Sequence, residues 1–201
     1  AINADSLATW VLPALAEVEG FRYDITVDDQ DHSADWLRRG EVSAAITAHA
    51  APIPGCDATP LGALGYAATC APGFAARWFA QGVTPEALHR APCLAFDRKD
   101  RLQHAWAASA LGLRVALPLH YLPTAQGFVE AAMMGLGWGM NPVAIAAPML
   151  ADGRLVELIP DHRISTPLYW QVSRQTAAAL DPLTKGLRRA ARKILEEPGM
   201  T

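Results

Sequence analysis

The sequence has little of what marks disulfide-bonded, membrane-spanning or metal-dependent proteins. Its 201 residues include only three cysteines, Cys56, Cys70 and Cys93. Their odd number and wide spacing predict reduced, buried thiols, because disulfide frameworks and zinc sites use paired, closely spaced cysteines. No apolar run approaches the roughly 18–20 residues that a helix needs to cross a bilayer. We therefore expect a cytoplasmic protein with no metal site and no membrane contact.

Positive charge is also in short supply. Lys and Arg total 17 against 20 Asp and Glu, so the formal net charge is −3. A basic cluster at 188–193 falls in the last turns of a predicted helix, where cations complement the helix dipole. A chain that binds nucleic acid usually carries a basic face. The composition therefore argues against DNA binding by this chain itself.

Patterns that would indicate catalysis are missing as well. No serine stands in a GxSxG elbow, and the six histidines are scattered without a metal-binding pair. Gly135, Gly137 and Gly139 have the spacing of a dinucleotide loop, but that loop follows a strand and opens a helix, whereas these glycines lead into a strand. We predict that the protein is not an enzyme and has no cofactor.

What the sequence does contain is an alternation of strand-length apolar runs with helical patterns, which is typical of α/β folds. The pattern repeats as two similar halves, which fits a molecule of two lobes with a hinge and a cleft. We place lobe I at 1–72, lobe II at 73–165 and a return to lobe I at 166–201. A single doubly wound sheet fits the same pattern.

The predicted elements follow from apolar periodicity and from turn and cap residues. A helix that begins at Asp5 or Ser6 and runs to Glu19 follows the first strand. Further helices are predicted at 33–39, 73–80, 100–111, 124–134 and 181–195, and strands at 1–4, 21–27, 42–47, 56–64, 66–70, 93–96, 114–121, 137–140, 155–159 and 168–172.

The stretch Asn3–Trp10 combines a strand, a tight turn and a helix start. Unpaired N–H groups and the positive end of the helix dipole favour an anion at such a place, for example the carboxylate of an amino acid. Ser and Asp are also the usual helix-capping residues, so an ordinary cap explains the same pattern.

The turn at 28–31 places three carboxylates, Asp28, Asp29 and Asp31, within four residues at a strand end. Like charges this close indicate either a solvated turn or a site for a cation. The spacing of an EF-hand is absent. An ammonium or guanidinium group on a ligand suits the carboxylates better, through charge-assisted hydrogen bonds.

Five stretches occur together and in order along the chain, namely Asn3–Trp10, Leu37–Val42, Phe96–Asp100, Gly135–Gly139 and Leu168–Trp170. Through them the chain, from Ala1 to about Leu195, resembles the effector-binding domain of LysR-type transcriptional regulators. The resemblance is strongest to the ArgP and LysG group, which senses lysine and arginine.

The resemblance implies a type II periplasmic-binding-protein-like fold, with two Rossmann-like lobes and the effector in the cleft between them. It implies a homodimer, or a tetramer in the intact protein. DNA would be bound only through a winged helix-turn-helix outside this chain, and the first residues, which lie inside a strand, fit an excised fragment. A solute-binding component of an amino-acid transporter shares the fold and is the alternative.

The resemblance also implies effector-binding residues. Ser6 and Thr9 lie at the start of the first helix, which the family uses for its ligand. Thr47 follows the third strand and Thr124 begins a helix of the second lobe. Gln126 and Asn141 depart from the family, which tends to carry Glu and an apolar residue there. The predicted set is Ser6, Thr9, Asp29, Asp31, Thr47, Thr124 and Gln126.

Overall fold

A computed structural model describes residues 1–29 and 32–197, which form two compact units. Unit 1 consists of Ala1–Leu64 and the segment that begins at Ser165, and unit 2 is Gly65–Ile164. The first crossing lies earlier than the 72/73 boundary expected from sequence, because the chain passes between the units inside one continuous strand. The return crossing lies beside the expected position.

Helices and strands alternate along most of the chain. The helices are α1 (Ala4–Ser6), α2 (Leu12–Ala16), α3 (Ser33–Arg38), α4 (Pro72–Trp78), α5 (Pro85–Arg90), α6 (Leu102–Leu111), α7 (Ala125–Met133), α8 (Val143–Ala151) and α9 (Asp181–Ile194). The strands are β1 (Ala44–Thr47), β2 (Cys56–Cys70), β3 (Cys93–Ala95), β4 (Leu119–Tyr121), β5 (Gly139–Pro142), β6 (Val156–Glu157) and β7 (Arg163–Ser173).

Unit 1 has three short segments that run parallel, side by side. The N–H of Ile2 donates to the carbonyl of Thr26 at 2.9 Å, and its own carbonyl accepts from the N–H of Asp28 at 3.3 Å. On the other side, the N–H of Ile46 in β1 donates to the carbonyl of Ala1 at 3.0 Å. The segment at Ala1 and Ile2 therefore lies between 26–28 and β1. All three segments end at the same edge of the sheet.

Strand β7 continues this sheet in unit 1 and pairs with β1 in the antiparallel direction. The register runs from Ala44 opposite Val172 to Thr47 opposite Tyr169. A small apolar cluster under β1 contains buried Ala34, Leu37, Ala45, Ile53 and Cys56. This packing fixes where the end of β1 lies.

The first helical run of unit 1 is interrupted by a π-helical turn, Leu7–Val11, between α1 and α2. In a regular α-helix the ring of Pro13 would press on the carbonyl of Thr9, and proline has no N–H to bond it. The wider π turn suits this proline. Trp10 and Val11 of the turn are buried, and α2 packs against α9.

Unit 2 is built around β5. This strand pairs antiparallel with β2, from Tyr66 opposite Pro142 to Thr69 opposite Gly139. β6 pairs antiparallel with β2, and β3 pairs parallel with β4. The buried core of this unit contains Leu94, Phe128, Val129, Ala131, Ala132, Ala146 and Leu155.

Several predicted elements differ from the observed ones. The first helix begins at Ala4 instead of Asp5 or Ser6. The predicted strand 21–27 keeps only a parallel bridge at Val27, and the predicted strand 114–121 is reduced to β4. The two strands predicted at 56–64 and 66–70 are one strand, β2. Strands need a hydrogen-bonding partner, so their true lengths are set by neighbours that are distant in sequence.

Within residues 1–29 and 32–197, the helices are too short or too polar to cross a membrane.

Candidate functional site

Three of the predicted site residues follow the parallel segments of unit 1. Ser6 comes after the segment at Ile2, Asp29 comes after the segment at 26–28, and Thr47 is the last residue of β1. Because the segments are parallel neighbours, these residues leave the sheet at the same edge. Open α/β sheets bind their ligands at the carboxyl ends of parallel strands.

The helix start supplies backbone donors to this edge. Asn3 precedes α1 in an extended conformation, and its side chain makes no capping hydrogen bond. The first N–H groups of a helix have no intrahelical acceptor. Ser6 is fully buried, and its Oγ has no hydrogen-bond partner among the described residues. A buried hydroxyl without a hydrogen-bond partner costs free energy. A ligand atom that formed a hydrogen bond with Ser6 Oγ would therefore remove this cost.

Thr9 lies one turn further along, inside the π turn. Its Oγ1 donates to the carbonyl of Asp5 at 2.6 Å and lies 3.4 Å from the carbonyl of Ser6. These bonds hold the half-buried Thr9 side chain against the helix backbone. Its hydroxyl oxygen still has acceptor capacity for a ligand N–H.

In the acidic turn, Asp28 and Asp29 make different hydrogen bonds. Asp28 Oδ2 accepts from the indole N–H of Trp36 at 2.8 Å, and Asp28 Oδ1 accepts from the N–H of Asp29 at 2.8 Å. The carbonyl of Asp29 accepts from the N–H of Ser33 at 2.8 Å and from its Oγ at 3.0 Å. Asp28 therefore anchors the turn, and Asp29 is a half-buried residue at the sheet edge. Asp31 lies outside the described residues.

Thr47 belongs to a buried polar network that the sequence alone does not predict. The amide Nε2 of Gln171 lies 3.2 Å from Thr47 Oγ1 and 3.0 Å from the carbonyl of His49, and Oε1 accepts from the N–H of Ile53 at 2.9 Å. Gln171 is fully buried. One side chain thus holds the loop after β1. A polar residue inside the apolar run Tyr169–Val172 is the signal that could have found it.

Thr124 and Gln126 belong to unit 2. Thr124 caps α7 as predicted, and its Oγ1 accepts from the N–H of Gly127 at 3.3 Å. Both side chains are exposed. The departure at Asn141 has a structural partner, since its Nδ2 donates to Thr69 Oγ1 at 2.8 Å in the interior. The ligand roles of Thr124 and Gln126 stay predictions.

The cysteines show no sign of reactivity. All three are free and buried. Burial raises the pKa of Cys70 to about 12 and raises the pKa of Cys93 well above its ordinary value. A thiol held protonated is a poor nucleophile and a poor metal ligand. In the part of the chain that the structure describes, no three His, Cys, Asp or Glu side chains gather into a metal-binding group.

A separate cavity of about 340 Å³ lies in unit 1 where the three parallel segments begin, beside Thr26, Ser43 and Leu187. Ser6, Thr9, Asp29 and Thr47 do not line it. It is therefore distinct from the edge at which the predicted residues converge.

Residues 4–195 match the LysR substrate binding domain family. LysG, an HTH-type transcriptional regulator from Mycobacterium tuberculosis, is 39% identical over 191 residues, which make up 95% of this chain and 63% of LysG. The chain thus spans less than two thirds of the length of that relative. Such relatives are transcriptional regulators and not enzymes.

Solved structures agree with this match. The C-terminal domains of a LysR family protein from Agrobacterium tumefaciens are 53% identical, with a TM-score of 0.94 over 98% of this chain and 96% of that one. Full-length LysG from Corynebacterium glutamicum with bound effector Arg is 35% identical, with a TM-score of 0.86 over 97% of this chain and 68% of that one. These matches confirm the resemblance and the predicted α/β fold class.

Proposed function

The chain belongs to the LysR substrate-binding domain family, in the branch of LysG and ArgP, and from this premise we propose that it senses lysine or arginine for an intact transcriptional regulator. The observation that carries the proposal is the shared sheet edge of unit 1. At that edge, one parallel segment is followed by a helix start that suits an anion, and its neighbour is followed by an acidic turn that suits a cation. Lysine and arginine carry one group of each kind.

The two ends of the ligand have different partners in this proposal. The N–H groups at the start of α1 bind the α-carboxylate, because the helix dipole and the free donors favour an anion. The Asp29 carboxylate binds the distal ammonium or guanidinium through charge-assisted hydrogen bonds. Thr9 offers its hydroxyl oxygen to the ligand from the π turn, whereas Thr47 is fully buried beside Gln171 and reaches a ligand only after a local change.

Ser6 contributes only after a local change. Its side chain is fully buried, so a ligand reaches Ser6 Oγ only when the helix start opens. Binding would then favour the open conformation over the closed one, which is how a ligand shifts a conformational equilibrium. The unpaired, buried Ser6 hydroxyl of this chain supports the local change, and the effector Arg bound to LysG from Corynebacterium glutamicum supports the proposed class of ligand.

In the intact protein we propose that this shift alters the arrangement of DNA-binding domains in a homodimer or a tetramer. The coupling requires that the effector binds the two states with different affinity. DNA would be held by a helix-turn-helix outside this chain, because the chain itself has a net charge of −3.

The test is calorimetry and thermal unfolding of the purified chain with L-lysine, L-arginine, norleucine and L-glutamate. We expect the two basic amino acids to bind and to raise the Tm, with about 2.7 kcal/mol of stabilisation at free ligand near 100 times Kd. Norleucine lacks the distal amine and should bind more weakly. The proposal fails if neither basic amino acid gives heat or a Tm change at millimolar concentration.

A further inference from the structure

The first helical run of unit 1 contains a π turn, Leu7–Val11, between α1 and α2. In a π turn the N–H groups bond to carbonyls five residues earlier, whereas in an α-helix they bond to carbonyls four residues earlier. The turn therefore holds one residue more than an α-helical turn would. Single π turns inside α-helices are frequent at functional sites.

The two sides of the π turn are held differently. On the later side, Trp10 and Val11 are buried, and the turn packs against α9. On the earlier side, Asn3 is still extended, and its side chain does not cap the helix. The Thr9 hydroxyl bonds to the carbonyl of Asp5 at 2.6 Å, which ties the first turn together. A shift of the helix by one residue would therefore move residues 4–9 as a piece and leave the later side in place.

Such a shift would bring Ser6 out of the interior. Ser6 is fully buried, and its Oγ has no partner among the described residues. An α-helix rotates by about 100° and rises by about 1.5 Å for each residue. After the shift, each residue before the π turn takes the place of the residue that precedes it. Ser6 then reaches the half-buried place of Asp5, and the apolar Leu7 takes the buried place of Ser6. This exchange removes the cost of a buried, unpaired hydroxyl.

Pro13 opposes the shift. A regular α-helix through this run would press the Pro13 ring against the carbonyl of Thr9, and proline has no N–H to bond that carbonyl. Pro13 therefore favours the π register, the arrangement observed here, over the α register that the shift produces. The residue lies outside the set predicted to bind the effector, so it acts on that set only through the helix.

We propose that Pro13 is a positioning residue of the proposed effector site. It holds the helix in the π register, in which Ser6 is buried, and the effector binds the α register, in which Ser6 is exposed. The inference rests on the proposed function and identifies the local change that opens the helix start. A ligand that binds only the less populated register has its apparent affinity reduced by the population of that register. Pro13 thus sets the effector concentration at which the domain responds.

The position of Ser6 is tested by the reactivity of a cysteine placed there. Ser6→Cys in the whole chain, without any amino acid, should react slowly with a thiol reagent, and the three native cysteines are buried. Adding Pro13→Ala should speed the reaction at least about tenfold, because the α register becomes more populated. Pro182→Ala is the matched control. Pro182 lies in the first turn of α9, where proline is tolerated, so this change should leave the rate as it is.

Amide hydrogen exchange distinguishes a shift of register from simple fraying of the helix. The N–H groups of residues 7–12 are bonded in both registers, so their exchange should stay slow in Pro13→Ala. A frayed helix would expose these groups and speed their exchange. Fast exchange at 7–12 in Pro13→Ala, or an unchanged reaction rate of the cysteine at position 6, would overturn the inference.

Calorimetry with L-arginine connects the register to binding. Pro13→Ala should bind L-arginine at least about fivefold more tightly than the unmodified chain, and Pro182→Ala should bind it equally. Light scattering should show the same oligomeric state for all three proteins. If the unmodified chain binds L-arginine and Pro13→Ala binds it no more tightly, the inference is wrong and the proposed function stands. If no form binds L-arginine or L-lysine, the proposed function fails, and the role of Pro13 in effector binding fails with it.

Discussion

At the residue scale, two neighbouring acidic residues have different places in the acidic turn. Asp28 is bonded to the indole of Trp36 and to the backbone, so it shapes the acidic turn. Asp29 accepts from α3 with its carbonyl and is a half-buried residue at the sheet edge. A run of acidic residues in a sequence does not reveal this division, because it depends on where Trp36 lies after folding.

The Asp29 carboxylate gives the sharpest prediction about ligand recognition. Asp29→Ala should cost on the order of 2–4 kcal/mol of lysine binding, from loss of a charge-assisted pair in a partly desolvated site. Ser6→Ala should weaken all amino acids more evenly, by roughly 1 kcal/mol. Calorimetry with lysine and norleucine on both variants measures this difference. If Asp29→Ala weakens norleucine as much as lysine, Asp29 has a structural role instead.

For some residues, the local sequence is sufficient to predict their structural role. Local chemistry predicts Thr124 as a helix cap and Gly40 as the residue that ends α3, and both are observed. The role of Gln171 is not predicted, because its partners, Thr47, His49 and Ile53, lie more than a hundred residues away. Contacts of that kind are created by the fold and leave little trace in the neighbouring sequence.

At the element scale, the sequence predicts helices better than strands. The termini of α7 and α9 agree with prediction within one or two residues, because caps and periodicity are local signals. The predicted strands at 21–27 and 114–121 are too long, since apolar alternation cannot show where a partner strand stops. Helix α5 is absent from the prediction, although Thr84 and Pro85 form a cap and first-turn pair that indicates a helix start.

Packing of α7 against β5 depends on a missing side chain. A Cβ on Gly139 would lie 2.5 Å from Phe128 Cε1 and 3.1 Å from Leu94 Cβ. We expect Gly139→Ala to destabilise the protein by about 1–3 kcal/mol through overpacking, measured by urea unfolding. Gly73→Ala is the matched control, because nothing lies within 4 Å of its added Cβ and alanine favours the helix α4.

If Gly139→Ala loses less stability than this range, the Phe128 ring moves aside to make room for the methyl group. In that case the double variant with Phe128→Leu should show no further recovery of stability. If steric overlap is the cause, Phe128→Leu should instead restore part of what Gly139→Ala loses, because the shorter side chain leaves room for the new methyl group.

At the scale of the whole molecule, both units bury their cysteine thiols. Cys56 is in unit 1, and Cys70 and Cys93 are in unit 2. Burial raises the pKa of each thiol, to about 12 for Cys70. The thiolate is the reactive form, so a rise in pH to about 8 should not create a reactive group while the protein stays folded.

We therefore expect Ellman's reagent at about pH 8, near the ordinary pKa of a thiol, to react with all three cysteines only after unfolding in guanidinium chloride. Cys56 keeps 4% of its surface exposed, against 0% for the other two, so any slow reaction of the native protein should be lost in Cys56→Ala. Rapid modification of Cys93 in the native state would contradict its burial in unit 2.

Unit 1 is assembled from two stretches of sequence that the whole of unit 2 separates. During synthesis, β1 leaves the ribosome before β7 and has no β7 to pair with until Ser173 has been added. Gln171, which ties the loop after β1, arrives equally late. Unit 2 is one continuous stretch and can complete its core sooner. Unit 1 therefore begins before unit 2 but is completed after it, and a nascent chain acquires the full sheet behind its proposed amino-acid-binding edge only once β7 has been made.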